Sequence, residues 1–145
     1  TNMGYTQVLW LDAREKKYVE EVGTSNIFFL IGDELITPPL GGTILPGVTR
    51  DSVIKLAAHF GVKVSERPLA IDEVIAAIEK GTLQESFASG TAAVISPVGQ
   101  IFYNNKEYLI NSGKTGALAQ KLFNEIMHIQ YGSKHDPFNW RVQIS

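Results

Sequence analysis

The sequence predicts a mixed α/β domain in which strand and helix segments are interspersed rather than strictly alternating. Two patterns indicate this class: short apolar runs rich in aromatic and β-branched residues, and longer segments with apolar residues at helical spacing. Glycine and proline mark the boundaries between these segments. A doubly wound parallel sheet would require regular alternation of strand and helix, so we expect an arrangement that contains hairpins instead.

The predicted strands are short apolar runs bounded by turn-forming residues. They cover residues 6–11, 25–31, 31–36, 62–68, 83–103 and 107–110. The first hairpin is predicted to turn at Gly32–Asp33, and Pro38–Pro39 stops the strand that follows. The long segment 83–103 contains two strand-like runs, and the break between them is predicted at Ser89–Gly90.

Three helices are predicted from apolar residues that recur every three or four positions. They cover residues 49–60, 71–80 and 116–130. The first helix has the clearest end signals, because Thr49 is the expected N-cap, Asp51 lies in the first turn and Gly61 follows the last turn. Gly81 is expected to close the second helix in the same way.

Composition and charge narrow the classes of function. The 145-residue chain is 44% hydrophobic, which is enough for one domain with a core. Its formal net charge of −2 lacks the basic excess typical of nucleic-acid or membrane-surface binding, so neither partner is expected. The absence of cysteine excludes disulfides and thiolate metal sites and fits a cytoplasmic location. The three histidines lack metal-ligand spacing, so no metal site is expected.

Two loops rich in small residues are candidates for anion binding. They are GGTILPGVTR at 41–50 and ASGTAAV at 88–94, and each offers glycine backbone and a threonine hydroxyl, Thr49 or Thr91. Taken alone, Thr49 is explained more simply by ordinary helix capping. The Walker and dinucleotide-binding glycine motifs are absent, so a phosphorylated ligand would be neither an ordinary triphosphate nor a dinucleotide.

Five segments together carry a family resemblance. They are EEVGTSN (20–26), TPPLGGTILPGVTRDSVI (37–54), VSERPL (64–69), SGTAAVISPVG (89–99) and IQYG (129–132). In content and order they resemble branched-chain amino acid aminotransferases, which are pyridoxal 5′-phosphate enzymes of fold type IV. The resemblance implies a pseudo-barrel of mostly antiparallel and mixed strands with surrounding helices. It also implies that residues 1–145 form one domain, the C-terminal cofactor-binding domain of a longer enzyme whose small N-terminal domain is not included.

The resemblance implies a cofactor-binding role for five residues. Glu21 would pair with the pyridine nitrogen of pyridoxal phosphate and keep the ring protonated, so that the ring accepts electrons from the substrate Cα. Leu45 would pack against one face of the ring. Val48 and Thr49 would bind the phosphate at the start of a helix, and Thr91 would be a second phosphate ligand.

Two further residues fall where the family contacts the substrate carboxylate or lines the pocket beside the cofactor. They are Thr24 and, through its backbone N–H, Ala92. Composition alone favours plainer interpretations of the cofactor residues: Glu21 would be a solvated glutamate beside Glu20, and Leu45 a core leucine. The resemblance favours the functional interpretation of both.

The Schiff-base lysine of the family falls upstream of the residues present, and none of the nine lysines stands in the family's lysine motif. We therefore expect these residues by themselves to be inactive. The parent enzyme would transfer an amino group between leucine, isoleucine or valine and 2-oxoglutarate, and would be a homodimer. The same fold type leaves D-amino acid aminotransferase or aminodeoxychorismate lyase activity open, and a non-catalytic domain that binds a phosphorylated ligand is a further alternative.

Overall fold

The computed structural model describes residues 4–144 and contains nine strands, three α-helices and one 3₁₀-helix within them. The strands are β1 (Leu9–Leu11), β2 (Val19–Val22), β3 (Asn26–Ile31), β4 (Glu34–Thr37), β5 (Lys63–Glu66), β6 (Leu83–Gly90), β7 (Val94–Pro97), β8 (Gln100–Tyr103) and β9 (Lys106–Leu109). The helices are α1 (Val48–His59), α2 (Ile71–Glu79) and α3 (Ala117–Tyr131), and the 3₁₀-helix covers Asn111–Gly113. The ends of the predicted domain, residues 1–3 and 145, lie outside the described residues.

One five-stranded sheet organises the fold, with the strand order β5-β4-β3-β6-β7. Among the described strands, only β4 and β5 pair in parallel, because α1 connects them and returns the chain to the same end of the sheet. The β3–β4, β3–β6 and β6–β7 pairs are antiparallel. Two separate hairpins, β1–β2 and β8–β9, complete the strands. The predicted mixed α/β class with mostly antiparallel strands is confirmed.

The two faces of β3 bury different layers of the core. Phe28 points to the face covered by α1 and α3, where its ring stacks on that of Phe87 with centroids 5.2 Å apart. Its neighbours Ile27 and Phe29 point to the opposite face, which is covered by α2 and the two hairpins. Because β3 is buried on both faces, its sequence is a continuous apolar run and not an alternating one.

The structure corrects the predicted start of α1. Gly47 is the N-cap, with an extended backbone (φ −67°, ψ 136°), and no side chain caps the helix. Thr49 is therefore inside the first turn, where its hydroxyl does not cap the helix. The prediction followed the general preference for threonine at N-caps, but the extended Gly47 already ends the preceding loop, so the helix begins at Val48.

Two strand boundaries also differ from the prediction. β6 does not break at Ser89–Gly90, because Gly90 pairs with Val94 of β7 and the turn is displaced to residues 91–93. β1 is limited to Leu9–Leu11, half the length of the predicted run 6–11, and its pairing with β2 shifts register between Leu9 and Leu11. The described helices include none with the length and apolar character that crossing a membrane requires.

Candidate functional site

The carboxylates of Glu20 and Glu21 both contact the loop 41–47 that precedes α1. The backbone N–H of Leu45 donates to Oε1 of Glu21 at 3.1 Å. The hydroxyl of Thr43 donates to Oε1 of Glu20 at 2.9 Å. The strand β2 therefore presents two consecutive carboxylates to alternate residues of one loop, and the predicted neighbours Glu21 and Leu45 are brought together.

Two buried polar side chains, those of Asn26 and Arg50, bind backbone carbonyls within and just before this loop. Nδ2 of Asn26 donates to the carbonyl oxygen of Leu45 at 2.9 Å and to Oε1 of Glu21 at 3.4 Å. Nη2 of Arg50 donates to the carbonyl oxygen of Pro38 at 2.9 Å and to Oε1 of Glu66 at 2.7 Å. Both side chains are almost fully buried, so their donor groups have fixed positions, and these hydrogen bonds fix the path of the loop.

The start of α1 lies directly after the loop. Val48 is 84% exposed and Thr49 is partly buried, so the first turn is open to solvent on one side. The first N–H groups of a helix have no partner within it, and at α1 no side chain takes their place. This end of the helix therefore offers backbone donors and the positive end of the helix dipole to an anion.

The second small-residue loop, residues 91–93, borders a large cleft. The cleft has a volume of about 1190 Å³, and Thr24, Thr91 and Ala92 are among its lining residues. Glu21, Leu45, Val48 and Thr49 are not. The structure thus places three of the seven predicted residues on the cleft, and it gathers the other four around the loop 41–47 and the start of α1.

The two groups meet at the same end of β3. Asn26, the first residue of β3, pairs with Ser89 of β6, and the side chain of Asn26 lies on the loop side of the sheet. Ser25, one residue earlier, faces the other way: its Oγ lies 2.9 Å from the position that a Cβ on Gly90 would occupy. The consecutive residues Ser25 and Asn26, at the start of β3, therefore lie beside Gly90, which precedes the turn 91–93, and beside Leu45 of the loop 41–47.

Sequence reasoning missed Asn26 and Arg50 as residues of the site. Asn26 begins an apolar run that was interpreted only as a buried strand, and Arg50 lies in a helix turn that was interpreted only for its capping. One signal was available for Asn26, because a carboxamide in a run otherwise destined for the core needs hydrogen-bond partners. Which partners it finds depends on the long-range contact with Leu45, and no local pattern encodes that contact.

Comparison with known proteins assigns the family. The family described as amino-transferase class IV matches residues 1–101, which is more than two thirds of the chain. The chain therefore belongs to the class IV aminotransferases.

The chain is also similar to particular members of that family. It is 54% identical over 142 residues to the branched-chain-amino-acid aminotransferase 2 of Bacillus subtilis, a match that covers 98% of this chain and 39% of the relative. It is 51% identical to a probable branched-chain-amino-acid aminotransferase of Staphylococcus aureus, of which it covers 40%. The fold matches the crystal structure of the Escherichia coli branched-chain amino acid aminotransferase with a TM-score of 0.81 at 30% identity, over 98% of this chain and 44% of that one. The chain thus spans about two fifths of the length of these relatives.

Proposed function

We propose that this chain is the cofactor-binding region of a pyridoxal 5′-phosphate-dependent branched-chain amino acid aminotransferase. One observation carries the proposal: a single short loop connects the Glu21 carboxylate to the open start of α1. Leu45 of this loop donates its N–H to Glu21, and Gly47, two residues later, is the N-cap of α1. A carboxylate suits a protonated ring nitrogen, and a helix start suits a phosphate. The names of the relatives supply the substrate class.

The residues present fit this cofactor in the chemistry of their donors and acceptors. Glu21 is the acceptor for the pyridine N–H, and the exposed side chain of Leu45, adjacent to it, provides an apolar surface for the ring. When bound, pyridoxal phosphate supplies the electron sink for the carbanion formed at the substrate Cα. Glu21 favours that role because a fixed negative charge stabilises the protonated ring.

The phosphate would be held at the start of α1. The N–H groups of the first turn, including those of Val48 and Thr49, and the hydroxyl of Thr49 are the donors on this side. Thr91 contributes a second hydroxyl from the cleft side. Each charge-assisted hydrogen bond contributes about 1.5–3 kcal/mol, so a few of them anchor the cofactor without a Walker loop.

The substrate would enter from the cleft. Thr24 and the backbone N–H of Ala92 lie on its lining and are proposed to contact the substrate carboxylate. The amino donors would be leucine, isoleucine and valine, with 2-oxoglutarate as the acceptor. We further propose that the complete enzyme is a cytoplasmic homodimer, as the family resemblance implies.

We propose that residues 1–145 by themselves do not catalyse transamination. None of the nine lysines is among the residues that line the cleft. Several are engaged elsewhere in the described part of the chain: Lys55 pairs with Asp51, Lys106 with Glu79 and Lys134 with Glu125. A lysine from outside these residues would have to supply the amine that links to the cofactor.

A chimera tests the proposed function. The matching C-terminal residues of the Bacillus subtilis relative are replaced by this chain, and turnover of leucine with 2-oxoglutarate is measured together with pyridoxal phosphate content. We expect the chimera to transaminate leucine, isoleucine and valine, and the 145-residue chain to bind pyridoxal phosphate without turnover. Glu21→Ala in the chimera should lower kcat by at least a hundredfold, because an interaction with the developing charge is lost.

The controls separate the alternatives. D-Alanine and aminodeoxychorismate are assayed in parallel, and preference for either would replace the branched-chain assignment. Turnover of leucine by the 145-residue chain alone would contradict the proposed need for an external lysine. A folded chimera in which Glu21→Ala leaves kcat unchanged would remove Glu21 from the site.

A further inference from the structure

The side chain of Asn26 links β2, β3 and the loop 41–47 through hydrogen bonds. Its Nδ2 donates to the carbonyl oxygen of Leu45 at 2.9 Å and to Oε1 of Glu21 at 3.4 Å. The N–H of Leu45 donates to the same Oε1 at 3.1 Å. Asn26 is 6% exposed, so the donor of two of these bonds is almost fully buried.

The chemistry of the position selects a carboxamide. The NH₂ group of asparagine carries two hydrogens, so one nitrogen can serve both a carbonyl oxygen and a carboxylate oxygen. Aspartate has nearly the same shape but would place an acceptor against two other acceptors. Glycine at position 47 makes room for this side chain, because Oδ1 lies 2.4 Å from the position that a Cβ on Gly47 would occupy.

The two carboxylate oxygens of Glu21 differ in the hydrogen bonds that they accept. Both donors that Glu21 receives within residues 4–144 end on Oε1. Oε2 receives no hydrogen bond from the described residues and remains for a ligand. Because two donors from different segments hold Oε1, the carboxylate cannot rotate freely, and Oε2 points in a defined direction.

We propose that Asn26 is a positioning residue that orients Glu21 toward the ring nitrogen of the cofactor and, through Leu45, holds the loop that lies beside the ring. This inference rests on the proposed function, because it assumes that Glu21 is the partner of that nitrogen. Asn26 itself contacts no cofactor atom. It acts by fixing Oε1 of Glu21 and the carbonyl of Leu45 in one geometry before the cofactor arrives.

A double-mutant cycle on pyridoxal phosphate affinity tests the proposal with the 145-residue chain. The variants are Asn26→Leu, which keeps the branching at Cγ and removes the donor, Glu21→Ala, and the two together. Asn26→Leu should weaken binding about tenfold in the presence of Glu21, as expected for the loss of a buried hydrogen bond near 1.4 kcal/mol. In the Glu21→Ala background the same substitution should weaken affinity by clearly less than tenfold, because the part of its effect that passes through Glu21 is lost and only the contact with Leu45 remains.

Ser89→Ala is the matched control. Ser89 is the strand partner of Asn26, is 1% exposed, and its hydroxyl has no hydrogen-bond partner among the described residues. It therefore tests the effect of a change in the same buried layer without loss of a hydrogen bond. We expect its affinity for pyridoxal phosphate to stay within about twofold of the unaltered chain. Amide hydrogen exchange at Leu45, measured without cofactor, should speed up in Asn26→Leu and not in Ser89→Ala.

The outcomes separate this inference from the proposed function. If the unaltered chain does not bind pyridoxal phosphate, or binds it as well after Glu21→Ala, the proposed function of the site is wrong. If Glu21→Ala weakens binding but the effects of the two substitutions simply add, Asn26 has no positioning role. Asn26→Asp, compared by the same two measurements, provides a second variant if Asn26→Leu does not fold. Unchanged affinity and unchanged exchange at Leu45 in Asn26→Asp would also overturn the proposal.

Discussion

The two small-residue loops of the site differ in how the rest of the chain holds them. The loop 41–47 is fixed by side chains from three elements. Glu20 and Glu21 of β2 and Asn26 of β3 bind the loop itself, and Arg50 of α1 binds the carbonyl of Pro38 just before it. The turn 91–93 receives no side-chain hydrogen bond from the described residues and is exposed. Only the β6–β7 pairing holds its ends.

The difference indicates a division of labour between the loops. A loop fixed by several side-chain hydrogen bonds presents its ligands with little loss of conformational freedom on binding, which favours affinity. An exposed turn can adjust to a ligand at the cost of ordering it. We therefore expect the loop 41–47 to be already formed before the cofactor binds, and the turn 91–93 to become ordered by contact with it.

The largest expected effect comes from Gly47→Ala. The added Cβ would lie 2.4 Å from Oδ1 of Asn26, a buried carboxamide whose hydrogen bonds prevent it from moving aside. Overpacking of this kind costs about 1–3 kcal/mol of the free energy of unfolding. Chemical denaturation of the 145-residue chain measures the loss, and affinity for pyridoxal phosphate should fall with it.

Gly42→Ala is the control within the same loop. Nothing lies within 4 Å of its Cβ position. With neither a clash nor a left-handed backbone, this change should be neutral or stabilising by up to about 1 kcal/mol. If Gly47→Ala and Gly42→Ala lower the free energy of unfolding equally, the contact between Gly47 and Asn26 does not hold the loop.

An intermediate effect is expected in residues 12–18, a third segment held by one side chain. Asp12 accepts the N–H groups of Tyr18, Glu15 and Lys17 at 2.8, 2.6 and 2.8 Å. The N–H donors, that of Tyr18 foremost, lower the pKa of Asp12 from its ordinary value of 3.8 to about 2. Because the pKa is lower in the folded chain, this stabilisation is present above pH 4 and is lost as the pH falls toward 2.

Amide hydrogen exchange checks this prediction. In Asp12→Ala the amides of Glu15, Lys17 and Tyr18 should exchange faster at pH 5, while that of Leu45 in the loop 41–47 should not change. Protection of the three amides that is the same in the variant would contradict the role given to Asp12. The result would sharpen the comparison by showing that each loop depends on its own side-chain anchor.

The smallest effect is expected from Gly90→Ala, beside the turn 91–93. Its Cβ would meet the side chain of Ser25, with Oγ at 2.9 Å and Cβ at an ordinary contact distance of 3.6 Å, and the hydroxyl can rotate to another position. The free energy of unfolding should change by no more than about 0.5 kcal/mol. Denaturation measured alongside Gly47→Ala gives the contrast directly, and a loss as large as that of Gly47→Ala would end the distinction between the loops.

The helices and the buried strands were predictable because they are local. α3 lies within one residue of its prediction, since its apolar residues recur along one face over four turns. β2 gives a weaker strand signal, because VEEV carries two carboxylates and too few apolar residues to stand out. It is a strand because Val19 and Val22 are buried against the sheet and Glu20 and Glu21 contact the loop.

The sequence by itself determined the composition of the site: a carboxylate before a glycine turn, two loops of glycine and threonine, and the order of motifs that marks the family. Tertiary structure alone decided which of these residues meet. Asn26 and Leu45 are 19 positions apart, and their contact depends on β2, β3 and the loop packing together. Periodicity reports which face of its own element a side chain occupies, whereas a hydrogen bond between elements depends on how those elements are placed in space.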